Sequence, residues 1–156
     1  MQPLQQWICD ECHGVIDGPS VGNVVWISKS GTPKAPELRY SNFRIVHMGS
    51  CDDSKKYSGS LSITDFLGVD GLNTLLGMLD VGQVKRRLGQ TGEPTVRDMG
   101  SYVDLFRRVQ VPRYEEARQY FGNEEVLDLH SDGNEFSPYT ETALAEIIQI
   151  ATSQGS

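Results

Sequence analysis

Two short pairs of metal-ligand residues constrain this chain more than any other feature. Cys9 and Cys12 make a C-x2-C pair; His47 and Cys51 make an H-x3-C pair, with 34 residues between the two pairs. Three thiolates and an imidazole are the donors that a tetrahedral Zn²⁺ takes, and such a site is commonly assembled from two close-spaced pairs. All three cysteines of the chain are used in this scheme. With four protein ligands no vertex stays open for water, so the expected ion is structural rather than catalytic. Free cysteines also pack as small apolar side chains, but that alternative needs two coincidental pairs, each flanked by turn residues.

Other chemistries compete for the same residues. His13 directly follows Cys12 and is a rival to His47 as fourth ligand, although it sits inside the turn that the C-x2-C pair requires. The string Cys9 to His13 formally matches the C-x-x-C-H haem-attachment motif, yet its flanks are strand-like where a c-type domain is helical. A redox C-x-x-C opens a helix, which lowers its thiolate pKa; here Gly14 and the strand-like Val15-Ile16 follow instead.

At 156 residues the chain fits one ordinary domain, or a small metal module joined to a helical one. An N-terminal unit below about 60 residues is a size at which a metal often replaces missing core. An odd cysteine count argues against a disulfide framework. MQPLQQWICDE has neither a basic n-region nor a long apolar run, so no signal peptide is read there. Nothing approaches about 18 consecutive apolar residues, so no membrane partner is expected. A cytoplasmic location is the expectation.

Along the chain, Trp7-Ile8 and Val15-Ile16 read as two strands around a knuckle, and Val24–Ile27 as another. Ser28–Pro36 is a polar loop. Arg39–His47 alternates, with Phe43, Ile45 and His47 on one face. Residues 52–60 look like a linker. Helical periodicity follows. Asp70 is a candidate cap for Leu72, Leu75, Leu76 and Leu79, and Thr95 for Val96, Met99, Val103 and Phe106. Gly89–Pro94 is a loop. Pro112 stops one helix and starts the next, Arg113–Phe121; Pro138 opens the last, with Leu144, Ile147 and Ile148. The expected fold class is α+β: a small antiparallel zinc-clipped β-ribbon over residues 1–57, then a helical domain of four or five helices over 58–156, the two packed as one unit.

The net charge of −7 is unevenly spread, with residues 114–156 carrying nine acidic and one basic side chain. That balance disfavours sequence-blind binding to phosphate backbones, which needs several Lys/Arg contacts. A local basic cluster remains: Lys85, Arg86 and Arg87, with Arg107 and Arg108, is a candidate contact for nucleic acid or an acidic partner. Arg107-Arg108 also falls near a helix end, where the dipole favours cations in any case. Enzyme signatures are thin. His130-Ser131-Asp132 are triad residue types, but adjacent loop residues cannot converge as a triad does.

The segments W-I-C-D-E-C-H-G-V-I and F-R-I-V-H-M-G-S-C resemble the zinc-ribbon group of metal modules over about residues 5–53. The chain departs from the usual ribbon in placing histidine third among the ligands and in carrying His13. The resemblance implies a structural Zn²⁺ and a contact module for protein or nucleic acid. The expected function is a non-enzymatic, zinc-stabilised protein that binds another protein in a regulatory complex. Nucleic-acid binding through the basic segment is the alternative, and an enzyme with a cleft between ribbon and helices a further one. Neither a partner's identity nor an oligomeric state is read from the sequence.

Overall fold

The computed structural model describes residues 1–30, 39–90, 92 and 95–153. The expected loops at Ser28–Pro36 and Gly89–Pro94 lie partly outside the described residues. The chain is mixed α and β, as its two periodicities predict.

Strands β1 (Gln6–Ile8) and β2 (Val15–Asp17) pair antiparallel, Trp7 opposite Ile16. A second sheet has β3 (Gly22–Lys29) in the middle, between β4 (Arg39–His47) and β5 (Gly59–Ser62), all antiparallel. Gly22 through Trp26 are buried in succession, so both faces of the central strand are covered at that end. The register slips between Val25 and Ile27, leaving a bulge in β4 where Asn42, at a positive φ of 55°, and Phe43 stand opposite Trp26.

The expected linker is not one. Tyr57 is buried and β5 pairs with β3, so the sheet continues past residue 57. Gly59 lies against the Trp26 ring so closely that a Cβ there would overlap it.

Six α-helices follow among the described residues: α1 (Gly68–Leu79), α2 (Gly82–Arg87), α3 (Met99–Gln110), α4 (Tyr114–Ala117), α5 (Glu124–Leu129) and α6 (Glu141–Ser153), with short 3₁₀ turns between some of them. Helix α1 starts earlier than the Asp70 cap predicts, with Leu67 at the cap position. It begins on a 3₁₀ turn, Ile63–Phe66, whose backbone packs directly on Gly71. Of the four predicted leucines only Leu75 is fully buried. Helix α3 is capped by Asp98, not Thr95, its carboxylate accepting the Ser101 amide at 3.2 Å. Its inward face is Tyr102, Leu105 and Val109, while Met99 and Val103 are exposed. Pro112 does end α3, and Arg113 turns the chain at φ 67° into α4, which is shorter than expected. Pro138 lies in a 3₁₀ turn, and α6 starts three residues later at Glu141.

Two apolar clusters result among the described residues. The larger joins Trp7, Ile16, Val25 and Ile45 of the sheets to Leu75, Tyr102, Leu105 and Val109 of α1 and α3. The smaller joins Tyr114, Ala117, Val126, Leu144 and Ile147 of the C-terminal helices. Helices α1 and α3 thus share the sheets' core, whereas α4 to α6 build their own.

Candidate metal centre

The turn from β1 to β2 carries Cys9 and Cys12. The Cys9 amide donates to the Gly14 carbonyl at 2.9 Å and the His13 amide to the Cys9 carbonyl at 2.9 Å, closing a tight knuckle. His13 takes φ 59° there, the left-handed conformation a knuckle of this length needs. Gly14 leaves room: a Cβ at that position would stand 3.4 Å from His47 Cε1 and 3.5 Å from Cys12 Sγ. The second arm comes from the end of β4. His47 is the last residue of that strand, and Gly49, at φ 78°, turns the chain so that Cys51 returns, its amide donating to the His47 carbonyl at 3.2 Å.

The two arms meet. One ligand atom from each of Cys9, Cys12, His47 and Cys51 lies within 4.8 Å of every other. A tetrahedron with bonds of about 2.3 Å has edges near 3.8 Å, so this spacing suits one shared ion after slight contraction. Cys12 Sγ stands 3.3 Å from His47 Nδ1, while His47 Nε2 lies 3.1 Å from the Val15 carbonyl. A proton on Nε2, donated to that carbonyl, leaves the Nδ1 lone pair facing the sulfurs, which is how an outer hydrogen bond orients a ligating imidazole.

The electrostatics agree with a thiolate-rich centre. Burial pushes the Cys9 thiol up, but the amides of Cys12, Glu11 and His47, with the His47 ring, more than offset it and bring the pKa down to about 6. Burial raises that of Cys51, where a neighbouring thiolate adds to the cost. Two adjacent anionic sulfurs are costly together unless a cation lies between them. The residues therefore fit a metal ion by geometry, donor type and charge, and the cluster can hold one.

Supporting residues surround the four candidate ligands. Asp52 does not touch a sulfur: it accepts the Gly49 amide at 2.9 Å and the Asn23 side chain at 2.8 Å, bracing the turn that presents Cys51. Asp10, next to Cys9, accepts the Ile45 amide at 2.7 Å and Arg108 Nη1 at 2.6 Å. Arg108 in turn donates through Nε to Glu115 Oε2 at 2.7 Å and through Nη2 to the Ile8 carbonyl at 2.9 Å. Glu115 also accepts the Ile8 amide at 2.9 Å. A buried Asp10–Arg108–Glu115 group thus fastens the knuckle to α3 and α4. Nothing in the spacing of these three residues announces it; Asp10 stands beside a ligand, but its partners lie about a hundred positions away.

That arrangement corrects one expectation. Arg108 is 2% exposed, its guanidinium consumed by two carboxylates, and is unavailable to a phosphate. Arg107 lies over the Tyr139 ring at 3.7 Å. Lys85, Arg86 and Arg87 are exposed, and Arg86 pairs with Asp80. The five basic residues therefore do not form one outward-facing set.

His13 is not one of the four converging residues and lines an open cleft of about 620 Å³ between the knuckle, β4, α3 and the 3₁₀ turn Arg118–Tyr120. The charged groups there are already paired, Asp10 with Arg108 at 2.6 Å, Arg118 with Asp104 at 3.4 Å, and Arg44 with the neighbouring Glu11 at 3.2 Å. In the His130-Ser131-Asp132 segment, Ser131 Oγ donates to the Asp128 carbonyl at 2.9 Å, as a polar turn requires. No helix among the described residues is long and apolar enough to cross a membrane. No family model, no curated protein and no solved structure matches this chain.

Proposed function

We propose that the chain is a non-enzymatic interaction protein whose N-terminal unit is clipped by one structural Zn²⁺ in the manner of a zinc ribbon, and that its task is to bind another protein. The observation that carries the reading is the convergence of Cys9, Cys12, His47 and Cys51 within 4.8 Å. A donor set of three thiolates and one imidazole favours Zn²⁺ over the hard cations, and a full set of four leaves no open coordination position for reaction chemistry. When bound, the ion would neutralise the thiolates and hold the two arms together. The surrounding residues do the rest: the Val15 carbonyl orients His47, Asp52 braces the turn before Cys51, and Asp10 ties the knuckle to Arg108.

Support for a protein-binding role comes from apolar side chains left at the surface of packed helices. Val69 and Leu76 on α1, and Met99 and Val103 on α3, are exposed although both helices pack on the main core. Exposed apolar patches of several hundred Å² commonly mark interaction sites. The nucleic-acid alternative loses weight with the loss of Arg108 from its footprint and with a net charge of −7.

The test is elemental analysis of the purified chain together with unfolding in a strong chelator. One zinc per chain and a marked loss of stability on chelation are expected. A metal-free chain that stays equally stable would overturn the metal reading. Binding to a DNA or RNA oligomer at low salt, weakening steeply as salt rises, would replace the protein-partner reading with the nucleic-acid one.

A further inference from the structure

We propose that the basic, apolar surface of α2 on one copy docks on the acidic, apolar surface around α5 on a second copy, so that the chain associates with itself. The inference rests on the reading of this chain as an interaction protein and names its partner; it does not depend on the metal.

Helix α2 is the anomalous element. It buries none of its six residues, and a helix this short is marginal without tertiary packing. Val84 and Leu88 are 72% and 69% exposed; four positions apart, they fall on one side of the turn. Lys85 and Arg87 are exposed beside them and make no ion pair among the described residues. An apolar pair flanked by unpaired cations suits an acidic surface that also carries apolar side chains.

The same chain presents such a surface. On α5 and the turn after it, Leu127 and Phe136 are 56% and 63% exposed, and Leu129 is exposed as well. Glu124, Asp128, Asp132 and Glu135 are exposed among them. This acidic surface belongs to the C-terminal cluster through Val126, whereas α2 follows directly on α1 of the main core. Opposite charge on two apolar surfaces of one molecule is what a head-to-tail contact requires, and a two-fold dimer forms instead if both contacts close at once.

The test is sedimentation velocity of the full chain at several concentrations, with metal content measured on the same samples. Association is expected at about 100 μM in about 20 mM salt and should weaken by about 500 mM. Lys85→Glu with Arg87→Glu, or Glu124→Lys with Asp128→Lys, should each raise the dissociation constant at least about tenfold. All four changes in one chain restore the complementarity with signs exchanged and should restore association. These positions are exposed, and circular dichroism checks that each variant is folded. A wild-type chain that stays monomeric, reversals without effect, or a fourfold variant that fails to recover would each overturn the proposal. A monomer that binds a synthetic acidic amphipathic peptide would overturn self-docking yet leave the interaction reading standing. A monomer that binds phosphatidylserine vesicles would overturn both.

Discussion

Arg108 Nη1 stands 2.6 Å from Asp10 Oδ2, joining helix α3 to the residue directly after Cys9, the first cysteine of the candidate metal site. The same guanidinium reaches Glu115 on α4 and the carbonyl of Ile8 on β1. The Trp7 indole donates to the Arg108 carbonyl at 3.0 Å, so backbone and side chain of this one residue both grip the knuckle strand. Removing one partner from a buried ion group leaves the others desolvated and unpaired, which typically costs about 3–5 kcal/mol. Arg108→Met should therefore lower the unfolding free energy by about that amount, followed in urea by tryptophan fluorescence. A loss well below about 1 kcal/mol would mean that the group contributes nothing net.

The choice between the two histidines can be tested directly. His47 presents Nδ1 to Cys12 Sγ and holds Nε2 against the Val15 carbonyl, whereas His13 lines the neighbouring cleft. His47→Ala should abolish stoichiometric metal binding and His13→Ala should leave it intact, as measured by bound zinc per chain. The reverse pattern would reassign the fourth ligand.

Asp98 caps α3, and its role depends on pH. The Ser101 hydroxyl and amide, with the amides of Asn42 and Gly100, hold its carboxyl below the ordinary range. A carboxyl with a lowered folded-state pKa stabilises the fold fully above its unfolded value near 3.9 and loses that contribution as pH falls through the folded value. Asp98→Ala should cost about 1 kcal/mol at neutral pH, by thermal or urea unfolding. The difference between variant and wild type should shrink as pH falls below about 3.9 and through the folded-state value. A pH-independent difference would show that the ionised cap is not the cause.

Gly59 packs on the face of Trp26, which is itself stacked near Tyr40 and Phe43 at 5.5 and 6.1 Å between ring centroids. Gly59→Ala has to displace that ring, and overpacking of this kind costs about 1–3 kcal/mol. A variant as stable as wild type would show that Trp26 can shift without loss.

Some of this was legible from residue order, and some was not, for identifiable reasons. The β1–β2 knuckle and the strand ending at His47 follow from short-range signals: a C-x2-C pair before Gly14, an alternating run, a glycine turn. Segment 52–60 was opaque because Gly59–Ser62 holds no β-branched or aromatic residue; it is a strand because β3 offers it an edge. The inward face of α3 is ambiguous from residue order because apolar residues lie on two of its sides. Met99, Val103 and Phe106 fit a 3.6-residue period as well as Tyr102, Leu105 and Val109 do, but the latter three are buried in the main core, whereas Phe106 only packs at its edge and Met99 and Val103 are exposed.

The order of residues alone determined the donor set, because thiolate and imidazole chemistry and their spacing are local properties of the chain. It also determined the mixed α and β character, since the two periodicities are written in the residues themselves. Tertiary structure alone decided which face of α3 turns inward, that Arg108 is an internal tie rather than an outward cation, and that β5 completes the sheet. Each of these turns on groups that meet across tens of residues, where burial and charge pairing, not local preference, select the outcome.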